Sequence, residues 1–128
     1  VEEYTIDNFY FTHGHKELDD DKARLKTVII GHEHPSISIR DSIGFISKFP
    51  CFLIGPLSTG GTLIILPAMS IYASGVTVTL DRDMYLSPIT RRYGVVEKFK
   101  PYIFSEEIGV LELPTLDNLI DIVSTSSS

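Results

Sequence analysis

The chain has 128 residues, 43% of them apolar and 22% charged, which is the size and make-up of one globular domain or part of one. A net charge of −6 argues against a broad basic groove for nucleic acid, because backbone phosphates are held by clustered Lys and Arg. The single cysteine excludes an intramolecular disulfide and fits a reducing cytoplasm. No apolar run reaches the ~18–20 residues of a membrane helix, and the first residues do not read as a signal peptide.

In chain order, Tyr4 to Thr12 alternates and carries aromatics, which predicts a strand ending at His13. Glu17 to Lys26 has acidic residues early and basic ones late, as suits a short helix and its dipole. Asp19, Asp20 and Asp21 read as the solvated start of that helix, since no EF-hand spacing follows them. Thr27 to Ile30 is continuously apolar, as expected of a strand covered on both faces. Ile37 to Arg40 alternates and predicts another strand. Asp41 to Gly44 can turn into Phe45-Ile46 and Lys48-Phe49.

Phe49 to Ile54 reads as a strand in which Pro50 marks an edge or a bulge. Cys51 within it is expected to be a buried thiol. Gly55 to Gly61 is a hairpin turn; Gly60-Gly61 lacks the frame of a phosphate-binding loop. Thr62 to Leu66 is a strong strand. Gly75 to Leu80 alternates as a half-exposed one. Asp81 to Tyr93 reads as irregular, broken at Ser87-Pro88, with Arg91-Arg92 as a solvated basic pair. Lys98–Phe104 and Ile108–Leu113 predict a hairpin. A short helix, Leu116 to Val123, follows with Thr115 as N-cap, and residues 124–128 form a small-residue tail expected to be disordered.

All four histidines fall in two clusters, Thr12-His13-Gly14-His15 and Gly31-His32-Glu33-His34-Pro35, each closing an apolar run. Two parallel or neighbouring strands would deliver both clusters to one edge of a sheet, where converging imidazoles suit a divalent transition metal. Alternation puts the two imidazoles of an H-x-H pair on one face. The neighbouring glycines let the backbone turn sharply and approach a bound ion.

These two clusters, with Phe49-Pro50-Cys51-Phe52-Leu53 and Leu66-Pro67-Ala68-Met69-Ser70 after them and Gly75 beyond, resemble the last two metal-binding motifs and the following region of calcineurin-like metallophosphoesterases. Their order is similar to the small branch that includes the DNA-ligase-associated phosphoesterases. The resemblance covers roughly Tyr4 to Leu113. It implies an α/β fold, the C-terminal half of an αββα sandwich of mixed sheets, with strands predominating in this chain. The family's first three motifs, D-x-H, G-D-x-x-D and G-N-H-[DE], are absent. Residues 1–123 are therefore expected to be the C-terminal half of a single domain, and Val1 in place of an initiator methionine agrees with a fragment.

The resemblance further implies two divalent ions about 3.5–4 Å apart that activate water for phosphoester hydrolysis. His13 and His32 would ligate one ion and His34 the other. His15 would orient a ligand or touch substrate. Glu33, between two ligands, is expected to point away from them. Mixed nitrogen and oxygen ligation suits Mn²⁺, Zn²⁺ or Fe, with Mn²⁺ favoured. The remaining donors belong to the missing N-terminal half, so the complete protein is expected to be a hydrolase and this chain alone inactive. The implied substrate is a phosphodiester or phosphomonoester, in the branch's case a nucleotide or nucleic-acid end. A non-catalytic scaffold with the same fold is the alternative. A cupin-type barrel fits poorly, because Glu17 is too close to His15 and the second glycine-proline motif is absent.

Overall fold

The computed structural model describes residues 3–7, 9–13, 27–31, 35–40, 43–44, 46–67, 82–105 and 109–119. The expected helix at 17–26, the expected strand at 75–80 and the tail at 124–128 lie outside the described residues. Within them the fold is α/β, dominated by a mixed, open sheet with few helices.

The first expected strand is two. Strands β1 (Glu3–Ile6) and β2 (Phe9–Thr12) form an antiparallel hairpin that pairs Ile6 with Phe9. Asp7 adopts φ 51°, the left-handed conformation that a two-residue hairpin loop demands and that Asp tolerates better than most side chains. Asp7-Asn8 is thus a turn signal hidden inside an alternating run.

Strand β3 (Thr27–Ile30) pairs in parallel with β2 on one side and with β6 (Thr62–Ile65) on the other. Its continuous apolar run has a physical reason in that central position. Val28 and Ile30 are fully buried, while Thr27 and Ile29 on the opposite face are only half-buried. The expectation of equal burial on both faces is corrected to that extent.

Strand β4 (Ser36–Arg40) pairs with the first half of the eleven-residue β5 (Ile46–Pro56). The second half of β5 inserts between β6 and β7 (Lys100–Ser105), antiparallel to both. Pro50 sits where the partners change. The Cys51 N–H donates to Pro35 O at 3.0 Å, so alternation aims the Pro50 nitrogen the other way, past the point where the β7 pairing stops at Cys51. A residue without an N–H sacrifices no ladder bond there, which makes Pro50 a local edge position inside a long strand.

Turn 57–61 closes the β5–β6 hairpin, with Leu57 N–H to Gly61 O at 2.8 Å and Gly60 at φ 101°. Strand β8 (Gly109–Glu112) pairs with β7 and completes the order β1-β2-β3-β6-β5-β7-β8, with β4 attached to β5.

Residues 82–99 lie over one face of the sheet. Ser87-Pro88 starts a helix rather than breaking the chain: α1 (Pro88–Tyr93) has Ser87 as N-cap, its Oγ accepting from Ile89 N–H at 3.2 Å, and proline in its first turn. Arg91 and Arg92 are both exposed, as expected of a surface pair, and Arg91 Nη1 donates to the carbonyls of Tyr85 and Leu86 at 2.9 and 3.0 Å. Arg92 stacks over the Tyr93 ring, 5.3 Å from its centroid. Ile89, Tyr93, Val96 and Phe99 join Tyr10, Val28, Leu53, Leu63 and Ile65 of the sheet in one core.

Gly55 in β5 lets this layer approach: a Cβ there would stand 2.2 Å from Phe99 Cδ1. Leu116, fully buried, anchors the helical residues 116–119; its N–H donates to Phe99 O at 2.8 Å. Thr115 acts on this helix start through its hydroxyl, which donates to Asp117 Oδ1 and accepts from Asn118 Nδ2. No helix among the described residues is long and apolar enough to cross a membrane.

A candidate metal centre at the sheet edge

Three parallel strands end level with one another. Thr12 of β2 is in register with Ile30 of β3, which is in register with Ile65 of β6. The ladder continues one residue further, because Gly31 N–H donates to His13 O at 3.2 Å and Leu66 N–H donates to Ile30 O at 2.9 Å. The first residue after each strand therefore stands at a common edge: His13, Gly31 and Leu66. Each belongs to one of the motif segments singled out in the sequence, 12–15, 31–35 and 66–70.

Both ends of the 31–35 segment are held. Gly31 is tied to His13 as above. Pro35 is buried, and its carbonyl accepts the Cys51 N–H. His13 is exposed at this edge. His15, His32 and His34 lie outside the described residues, as do Glu33 and Ser70. His13 is thus the one candidate ligand whose position is described. Among the described residues, which include one of the four histidines, no group of three or more His, Cys, Asp or Glu could hold a metal ion.

Among the described residues no atom stands within 4 Å of a Cβ built at Gly31, whose φ lies outside the left-handed region.

Cys51 is 1% exposed on the sheet's covered face. Burial pushes its thiol up to about 12, which keeps it protonated and makes it neither a nucleophile nor a ligand at neutral pH.

Elsewhere, charged side chains pair with one another. Lys98 Nζ meets Asp117 Oδ2 at 2.9 Å. Lys100 Nζ and Tyr102 Oη both donate to Glu112 Oε1, each at 3.1 Å. The Lys100 bond, then the Tyr102 bond, holds the Glu112 carboxyl below its ordinary range.

No protein-family model matches the chain, and no curated protein and no solved structure matches it either. The functional reading therefore rests on motif chemistry and on strand register.

Proposed function

We propose that the chain is the C-terminal half of a calcineurin-like metallophosphoesterase domain, and that the complete protein hydrolyses a phosphodiester or phosphomonoester at a dinuclear site. The observation that carries the reading is the parallel register of β2, β3 and β6, with the His13 carbonyl bonded to the Gly31 N–H. It makes the start of both histidine clusters neighbours at one sheet edge. Covalent continuity then begins residue 32 about 3.8 Å from the Gly31 α-carbon.

The donor set fits divalent cations: neutral imidazoles suit Mn²⁺, Zn²⁺ and Fe, Mn²⁺ being the one we favour. His13 and His32 would hold one ion and His34 the other. Bound ions would supply an activated water and neutralise charge on the phosphoryl oxygens. His15 orients a ligand or binds a phosphoryl oxygen. Three imidazoles do not complete a paired site, so the carboxylate and amide donors come from a segment outside this polypeptide, and the chain alone is inactive.

The αββα sandwich belongs to the same proposal. One face of the sheet is covered by residues 82–99, and the other is apolar enough to take a second sheet. A lone protonated Cys51 fits a cytoplasmic setting.

The test has two arms. Titration of Mn²⁺ and Zn²⁺ into the chain, followed by calorimetry, should show binding that His13→Ala and His32→Ala each weaken at least tenfold. Hydrolysis of a generic phosphodiester by the complete protein should be lost in His32→Ala. Unchanged turnover in that variant removes the hydrolase reading and leaves the non-catalytic scaffold.

A further inference from the structure

We draw no further inference here: the strongest candidate, the apolar sheet face on which Ile6, Phe9 and Phe11 are exposed opposite the core, carries none because nothing in the structure shows what covers it.

Discussion

Gly55→Ala isolates the contact that joins the helical layer to the sheet. The added methyl group would stand 2.2 Å from Phe99 Cδ1 and 2.9 Å from Phe99 Cα. Rotating the ring relieves the first clash but not the second, because the α-carbon is held from both sides: Phe99 N–H donates to Val96 O at 3.1 Å, and Phe99 O accepts from Leu116 N–H at 2.8 Å. Gly55 has as little freedom, since its strand is paired with β6 and β7. Overpacking of this sort costs typically 1–3 kcal/mol, and a fixed backbone atom places it near 3. The smaller entropy of the unfolded alanine chain offsets about 0.4–1 kcal/mol. The net loss is about 2 kcal/mol, or roughly 6–10 °C in Tm for a domain of this size. Urea unfolding followed by circular dichroism measures it. Gly31→Ala is the control, with open space around its Cβ and no left-handed φ, and should lie within about 0.5 kcal/mol of the parent. A Gly55→Ala protein as stable as the Gly31→Ala protein would refute the argument that the Phe99 layer seats on β5 at this point.

Gly31→Ala carries a second expectation: with stability unchanged, any fall in Mn²⁺ affinity reports on the site and not on the fold. Cys51 should resist alkylation at pH 8 in the native protein and react at once in urea; because its folded pKa of about 12 exceeds the unfolded value near 9, its contribution to stability is intact below pH 9 and declines as pH rises towards 12. Asp117 behaves oppositely: the Thr115 hydroxyl first and the Lys98 ammonium second lower it to about 2, so its contribution is present above about pH 4 and is lost as pH falls towards 2. Acid titration of Asp117→Asn should lack that portion of the transition. Arg91→Ala removes both bonds to the carbonyls of Tyr85 and Leu86 and should cost about 1–2 kcal/mol in the same unfolding assay, whereas a truly solvated arginine would cost nothing measurable.

Where one physical signal dominated, the sequence was readable. Apolar runs located β3, β6 and the 49–54 part of β5, and Gly60-Gly61 located the hairpin between the last two; Gly55 and Pro56, expected in the loop, extend the strand. Signals that carry two meanings misled. Asp7-Asn8 keeps the period-two pattern while reversing the chain, so periodicity reads straight through it. Ser87-Pro88 disrupts a preceding element and caps a following one with the same atoms, and only the periodic burial of Ile89, Thr90 and Tyr93 distinguishes the two. Arg91 and Arg92 lie at the surface as their pairing suggests, but the Arg91 hydrogen bonds to carbonyls six and five residues back leave no mark in composition.

The candidate site depends on a fact of a different order. Histidine spacing names ligand types, but whether two clusters separated by a strand meet depends on the direction in which that strand runs. An antiparallel β2–β3 pair would have put His13 and Gly31 at opposite edges, about four residues or 13 Å apart. The parallel register removes that separation and leaves one hydrogen bond of 3.2 Å between the two residues. Parallel pairing in turn needs a connection over a face of the sheet, and the described residues 82–99 cover one of the two. The arrangement that sets His13 beside Gly31 is thus the same one that puts Phe9 and Phe11 on the face opposite the core, where both are exposed.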